Sequence, residues 1–267
     1  MTAVAVAATA PFGADVLERL ATRIEVTALL TRPDAPAGRG RKEAAPPAKV
    51  AAERLGIPVL QPERLGGDLD LGAAPTVVVV AYGLVIPEAL LEERRWLNVH
   101  PSLLPRWRGA APVERALMAG DAETGVTIHR TVKELDAGPI AAQRAFPIDT
   151  DDDAGAVYAR AAELAVELLE DVLEGEPDFR AQPAEGVTYA DKITARDREL
   201  DLARPAHELV NVVRALSPHV GARAHLHGRP VTVWRARVAQ DGSFEPLEVQ
   251  PVGGRRMEYA AWLRGLR

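Results

Sequence analysis

The sequence predicts an α/β protein with a doubly wound, mostly parallel sheet, followed by a smaller C-terminal domain that contains a small β-barrel or part of one. Three observations lead to this fold class. Short apolar runs alternate with amphipathic stretches, strand-like runs follow near the C-terminus, and 47% of the 267 residues are hydrophobic, enough for one or two ordinary cores. We expect one domain over residues 1–182 and a second over 187–267.

The first domain is expected to follow β-α-β construction, because short apolar runs alternate with helical patterns. Strands are expected at 4–8, 26–30, 77–81, 97–100, 125–130 and 140–146. Helices are expected at 14–21, 47–55, 87–94 and 154–173, with Gly56 placed as a C-cap glycine. Right-handed crossovers between such strands would make the sheet parallel.

The C-terminal part reads as a small helix and strand domain after a linker. Residues 176–186 contain two prolines and no periodic pattern, which is typical of a linker. A helix is expected at 206–215, then strands at 222–226 and 230–238 around a hairpin loop at 227–229, with Val231, Val233 and Arg235 on one face.

Composition excludes several classes of function. The chain has no cysteine, which excludes a disulfide framework, a thiolate nucleophile and a cysteine zinc site, and its 6 histidines are scattered. We therefore expect no metal. The apolar start at 1–8 lacks a basic leader and reads as a first strand, and no run is long enough to cross a membrane. These features favour a cytoplasmic protein.

Charge is distributed unevenly along the chain. From Val187 onward there are 13 Lys and Arg against 9 Asp and Glu, a net charge of +4, whereas the first 186 residues carry 19 against 29, a net charge of −10. The basic tail indicates either an anionic partner or an ordinary solvated surface.

The most informative segment of the sequence is 98–112, which begins with Asn98, Val99 and His100. In an extended segment, residues two apart point to the same face, so both polar side chains can approach one substrate atom. An amide NH2 and a protonated imidazole N–H can each donate a hydrogen bond to an acyl oxygen that becomes negative. The alternative interpretation is a turn former beside a satisfied polar residue.

The position of this segment favours the functional interpretation. Residues 76–81 read as a buried strand followed by Tyr82 and Gly83, and Asn98 and His100 end the next strand. In an open parallel sheet, ligands bind at the carboxyl ends of the strands. The two predicted strands therefore place these residues at the edge of the sheet where ligands bind.

Two further features each have two interpretations. The segment 32–42 is rich in glycine, proline and basic residues but lacks the spacing of a P-loop, so it is either a phosphate contact or a solvated loop. Asp136 either favours a turn before Gly138 or orients and charges His100.

The chain resembles the methionyl-tRNA formyltransferase family over most of its length. The resemblance is carried by residues 77–87, 98–112, 119–127 and 135–138, by the basic loop at 37–40, and by 215–218 and 228–234 in the tail. It is most specific at 102–112, where Ser-Leu-Leu-Pro is followed by Arg-Gly-Ala-Ala-Pro.

This resemblance implies a formyltransferase catalytic domain with a Rossmann-like fold and a tRNA-binding C-terminal domain of OB-like β-barrel type. Only 29 residues follow Val238, fewer than a full barrel of this family needs, so the barrel is expected to be shortened. The implied reaction transfers the formyl group of 10-formyltetrahydrofolate to the α-amino group of methionine on initiator tRNA, with no metal, membrane or obligate protein partner. The implied catalytic residues are Asn98, His100 and Asp136. The implied folate-binding residues are Ala81, Tyr82, Gly83, Leu84, Ser102, Leu103, Leu104 and Pro105, and the implied tRNA-binding residues are Arg39, Arg41 and Lys42.

The resemblance also implies a cis peptide bond between Leu104 and Pro105. The sequence departs from the family pattern at 8–12, where the family has a Gly-Thr-Pro turn, and at 129–132, where it has a Met-Asp pair. Two other functions stay open from the residues. One is formyl transfer to a nucleotide-linked amino sugar with the same donor, and the other is folate or RNA binding without catalysis.

Overall fold

A computed structural model describes residues 3–37, 42–66 and 69–266 of the chain. The chain divides into two compact units. The first comprises Met1–Arg108, Gly125–Ala145 and Ala159–Thr188, and the second comprises Gly109–Thr124, Phe146–Tyr158 and Tyr189–Arg267. Within the described ranges, no helix is both long enough and apolar enough to cross a bilayer.

The elements alternate as expected for most of the chain. The strands are β1 (Ala3–Ala8), β2 (Glu25–Leu30), β3 (Ala35–Ala37), β4 (Lys42–Ala44), β5 (Val59–Leu60), β6 (Thr76–Val80), β7 (Arg95–His100), β8 (Arg108–Gly109), β9 (Glu123–Arg130), β10 (Ile140–Pro147), β11 (Tyr189–Ala190), β12 (Ala222–Leu226), β13 (Arg229–Val238), β14 (Phe244–Pro251) and β15 (Met257–Glu258). The helices are α1 (Pro11–Leu20), α2 (Pro47–Leu55), α3 (Glu88–Glu93), α4 (Pro112–Ala119), α5 (Ala154–Leu173), α6 (Ala206–Leu216) and α7 (Tyr259–Arg264), with a 3-10 turn at Arg196–Arg198.

A seven-stranded sheet forms the centre of the first unit, in the order β10-β9-β7-β6-β1-β2-β5. Strands β7, β6, β1, β2 and β5 are parallel, which confirms the predicted doubly wound architecture. Strand β6 is buried at every position, as its uninterrupted β-branched run predicts for a strand covered on both faces. Since β6 and β7 are parallel neighbours, the loops that follow Val80 and His100 leave the same edge of the sheet.

Strand β9 pairs with β7 in the antiparallel sense, so the sheet is mixed. The register places Asn98 opposite His129 and His100 opposite Thr127. Directly opposite side chains on an antiparallel pair lie within about 5 Å at Cβ and can interact. The register therefore puts four polar side chains beside one another, which the sequence alone did not indicate.

The core of the first unit lies under β6 and β1. Its buried members include Val77, Val79, Trp96 and Leu90, and the Trp96 indole N–H donates to the Leu90 carbonyl at 2.6 Å. The cluster also contacts Leu84 and the partly buried leucines of the 60–69 segment. The loop that follows β6 is thus anchored on the core rather than exposed along its whole length.

The second unit contains a four-stranded antiparallel sheet in the order β12-β13-β14-β15, and α6 packs against β13. The β12-β13 hairpin was predicted, and its loop is shorter than expected because Leu226 pairs with Arg229. His227 and Gly228 both have positive φ, of 50° and 72°, as a two-residue type I′ turn requires. The predicted small, shortened barrel is therefore a compact antiparallel sheet with helices beside it.

Several details of the second unit differ from the sequence-based expectation. Val231 and Val233 are buried together as predicted, but a bulge between Val233 and Arg235 leaves Arg235 exposed. Strands β14 and β15 and helices α4 and α7 were not predicted. Helix α4 did carry signals, since it begins at Pro112 and ends at a left-handed Gly120.

Candidate active site

The candidate site is built on one face of the β7-β9 pair. Asn98 and His100 are two residues apart on β7 and therefore share a face, as predicted. Across the strand pair, His129 and Thr127 share that face on β9. His100, Thr127 and His129 are 4%, 0% and 1% exposed, so the site is a largely dry group of polar side chains.

Asp136 reaches this group from the loop that follows β9. Its backbone is left-handed, with φ of 48°, and its carbonyl oxygen accepts a hydrogen bond from Gln182 Nε2 at 2.7 Å. The same Gln182 nitrogen donates to the Gly138 carbonyl at 2.8 Å. A Cβ at Gly138 would lie 1.8 Å from the Arg130 carbonyl oxygen, so only glycine allows the loop to fold back this closely.

Asn98 holds Asp136 and His129 through a single nitrogen. Its Nδ2 lies 3.1 Å from Asp136 Oδ1, and because a carboxylate only accepts hydrogen bonds, this atom is the NH2 group of the amide. The same nitrogen lies 3.0 Å from His129 Nε2, which therefore accepts. His129 then carries its proton on Nδ1, which donates to the Arg130 carbonyl at 2.9 Å.

His100 is oriented by a backbone carbonyl. Its Nε2 lies 2.8 Å from the Trp107 carbonyl oxygen, which can only accept, so Nε2 carries a proton. Its Nδ1 faces Asp136 Oδ2 at 3.7 Å. Burial lowers the pKa of His100 and the Asp136 carboxylate opposes this effect, so the net direction is downward and the resting ring is neutral at pH 7.

Trp107 is itself held in an unusual conformation. Its φ is 63°, in the left-handed region, and its backbone N–H donates to the Thr188 hydroxyl at 2.9 Å. This conformation turns the Trp107 carbonyl toward His100. The guanidinium of Arg106 lies over the Trp107 ring at 4.4 Å.

The segment 102–105, predicted to bind folate, is fastened to the sheet beneath it. The Thr127 hydroxyl donates to the Ser102 carbonyl at 2.7 Å and accepts from the Leu104 N–H at 3.2 Å. The Leu104–Pro105 peptide bond is cis, which confirms the prediction. Ser102 and Leu104 are buried, so Leu103 and Pro105 are the more accessible members of this segment.

The segment 81–84, also predicted to bind folate, forms a tight turn at the same sheet edge. Ala81 and Gly83 have φ of 46° and 79° and are exposed. Tyr82 between them is buried, with its carbonyl accepting from the Thr9 hydroxyl at 2.8 Å. Burial raises the pKa of the Tyr82 hydroxyl to about 12, so it stays protonated.

The predicted tRNA-binding residues are placed only in part. Arg39 and Arg41 lie outside the described residues, and Lys42 begins β4. Among the described residues, no group of three or more His, Asp and Glu side chains could hold a metal ion.

Sequence reasoning missed two side chains of this site. His129 was noted only as a departure from a family pattern, and Gln182 was placed in a linker. Gln182 instead joins the Asp136 loop to Arg108, whose Nη2 donates to Gln182 Oε1 at 2.6 Å. The neighbouring Arg180 pairs with Ile140 through two backbone hydrogen bonds, so this stretch is fixed to the first unit.

Comparisons with known proteins first define the class. The formyl transferase family model matches residues 2–173, and the model of the formyl transferase C-terminal domain matches residues 192–245. The first match alone covers more than half of the chain. The chain therefore belongs to the formyl transferase class of proteins.

Closer relatives then define the family. The methionyl-tRNA formyltransferase of Halorhodospira halophila is 41% identical over 91% of this chain and 89% of its own length. That of Paracoccus denitrificans is 41% identical over 97% of this chain and 95% of its own. The chain belongs to the methionyl-tRNA formyltransferase family. A solved structure of this enzyme from Clostridium thermocellum has the same fold, with a TM-score of 0.66, 13% identity, and coverage of 97% of this chain and 100% of that chain.

Proposed function

We propose that this protein transfers the formyl group of 10-formyltetrahydrofolate to the α-amino group of methionine on initiator tRNA. The observation that carries the proposal is the meeting of Asn98, His100 and Asp136 in a chain of this family, with Asp136 3.1 Å from Asn98 and 3.7 Å from His100. Asn98 lies 2 positions before His100 in the sequence and Asp136 lies 36 positions after it, yet the three side chains form one polar group. We assign them as the catalytic residues.

The proposed reaction proceeds without a covalent enzyme intermediate. The neutral amine nitrogen attacks the formyl carbon, a new C–N bond forms, and the carbonyl oxygen becomes an oxyanion. The bond from the formyl carbon to the folate nitrogen then breaks. One amine proton leaves the attacking nitrogen, the folate nitrogen gains one, and the products are formylmethionyl-tRNA and tetrahydrofolate.

His100 and Asp136 handle the proton in this proposal. The resting imidazole is neutral, with its Nε2 proton committed to Trp107, so Nδ1 is the nitrogen that can take up a proton. A proton at Nδ1 is stabilised by the Asp136 carboxylate 3.7 Å away. The imidazolium formed in this way can donate to the oxyanion and then protonate the leaving nitrogen.

Asn98 supplies a second donor. Its two Nδ2 hydrogens go to Asp136 and His129 in the resting site. We propose that the hydrogen donated to Asp136 is shared with the oxyanion as negative charge develops. Removing one such donor costs about 2.7–4 kcal/mol of transition-state stabilisation in comparable sites.

The folate is proposed to bind between the two loops at the carboxyl ends of β6 and β7. The exposed backbone at Ala81 and Gly83 offers hydrogen-bonding groups, and Leu103 and Pro105 offer apolar contact. Both loops are fixed from below, by Thr9 and by Thr127. Loops that are already held in place lose little conformational entropy when a ligand binds to them.

The tRNA is proposed to contact the basic loop through Arg39, Arg41 and Lys42 and the basic C-terminal domain through its arginines. Phosphate contacts of this type give affinity that falls as salt rises. We also propose that residues 1–182 form the catalytic domain and residues 187–267 the tRNA-binding domain. We also propose that the protein acts in the cytoplasm, without a metal or an obligate protein partner.

The test is a formylation assay with purified protein and 10-formyltetrahydrofolate, in which Met-tRNA and amino-sugar nucleotides are offered as acceptors in parallel. We expect formylation of initiator Met-tRNA and none of the amino sugars. Formylation of an amino sugar alone would assign the same site to the other substrate class. Tight folate binding without any transfer would refute the catalytic proposal.

A further inference from the structure

His129 is a buried histidine whose hydrogen bonds the proposed reaction does not yet use. It lies at the end of β9, directly opposite Asn98 in the strand register, and is 1% exposed. A buried polar ring of this size is stable only when its nitrogens are paired. Both of them are, one to a side chain of the site and one to the backbone.

These two bonds define the chemical state of the ring. The Arg130 carbonyl accepts from Nδ1 at 2.9 Å, so Nε2 presents its lone pair to Asn98 Nδ2 at 3.0 Å. The arrangement thus forms a directed chain from the Asn98 amide through His129 to the Arg130 carbonyl. A protonated His129 would place a donor against a donor and break this chain.

We propose that His129 is a positioning residue for formyl transfer, acting as the neutral acceptor that fixes the plane of the Asn98 amide. This inference rests on the proposed function. Asn98 Nδ2 has two acceptors, His129 Nε2 and Asp136 Oδ1, and these acceptors lie 3.7 Å apart. Two bonds from one nitrogen in different directions define the plane of the amide, whereas a single bond leaves it free to rotate.

The position of His129 makes it suited to this role. Its ring centroid is 6.4 Å from that of His100, and the planes cross at 72°, so it borders the site without facing the same atoms. The backbone of β9 and the bond to Arg130 hold the ring. Substituting the ring should therefore disturb the Asn98 amide more than the binding of either substrate.

The kinetic test compares three variants with the wild type. His129→Leu removes the acceptor at similar volume, and His129→Gln restores an acceptor oxygen near the position of Nε2. The control is Thr124→Val on the same strand, because the Thr124 hydroxyl is buried and makes no hydrogen bond in the described part of the chain. We expect His129→Leu to lower kcat about tenfold with little change in KM, as loss of an orienting partner does, and His129→Gln to recover most of it.

The spectroscopic test does not depend on activity. In ¹⁵N NMR of histidine-labelled protein, the resonances lost in His129→Gln identify the ring, and we expect a protonated Nδ1 and an unprotonated Nε2. The Nε2 resonance should move in Asn98→Ala, which removes the donor. A protonated Nε2 in the wild type would overturn the proposal, even if His129→Leu fails to fold.

The outcomes separate this inference from the proposed function. If the wild type formylates Met-tRNA and His129→Leu retains its kcat, the positioning role is wrong and the function stands. If the kcat of His129→Leu falls and His129→Gln does not restore it, the role of an acceptor is also wrong. If the wild type formylates no acceptor, the proposed function fails on its own evidence.

Discussion

Replacement of Asp136 by asparagine is the sharpest perturbation of the proposed proton transfer, because it keeps the shape of the side chain and removes its charge. Asp136 Oδ2 lies 3.7 Å from His100 Nδ1. With an effective dielectric constant of about 20, a carboxylate at that distance stabilises the imidazolium by about 4 kcal/mol. The Asp136→Asn variant should thus lose this stabilisation in the transition state, and we expect kcat to fall by about 10²- to 10³-fold.

The assay for this prediction is single-turnover formylation of Met-tRNA at saturating 10-formyltetrahydrofolate across a range of pH. Asp171→Asn is the matched control, because Asp171 is 72% exposed and pairs only distantly with Arg144, at 3.8 Å. Its kcat should equal that of the wild type. If the kcat of Asp136→Asn stays within about threefold of the wild-type value, the carboxylate does not stabilise a charged His100 and the proposed proton path is wrong.

Three further predictions concern the buried ring of His100, the Asp136 loop and the basic loop. Burial lowers the folded-state pKa of His100, so the stability that the neutral ring contributes is present above about pH 6.5 and is lost as pH falls, by up to about 1.4 kcal/mol per pH unit. The free energy of urea unfolding should therefore depend on pH with a different slope in the wild type and in His100→Asn. Equal slopes would contradict a neutral buried ring. Gln182→Leu removes the donor to the Asp136 carbonyl, so kcat should fall about tenfold, while the free energy of urea unfolding should fall by only about 1–2 kcal/mol. An unchanged kcat would show that the loop holds its shape without Gln182. Arg39→Ala and Arg41→Ala should each raise the KM for Met-tRNA and leave kcat unchanged. Each should also reduce the slope of log KM against log salt by about one per lost phosphate contact. An unaltered slope would show that this loop does not contact the tRNA.

The sequence predicted the parts of the fold that leave a local pattern. The β-branched run that forms β6 is legible because a parallel strand covered on both faces needs an uninterrupted apolar surface. The positions of Asn98 and His100 on one face follow from the two-residue period of a strand. The hairpin around Gly228 follows from its turn chemistry.

The parts that were missed depend on contacts between distant residues. Nothing local indicates that β9 runs antiparallel to β7, and without that register His129 has no visible relation to Asn98. Gln182 lies in an aperiodic, proline-containing stretch and acquires its role only by meeting Asp136, 46 residues away. Strand β14 was missed for a related reason, since prolines at 246 and 251 weaken its strand signal and its pairing with β13 supplies the order.

We propose that Asn98 and His100 stabilise the oxyanion of a formyl transfer. The most direct test of this proposal is the single-turnover rate of Met-tRNA formylation by Asn98→Ala and His100→Ala, with cooperative urea unfolding of each variant measured in parallel. Both variants should fold cooperatively, and each should lose about 10²-fold or more in rate. A folded variant of either residue that turns over at close to the wild-type rate would contradict the proposal.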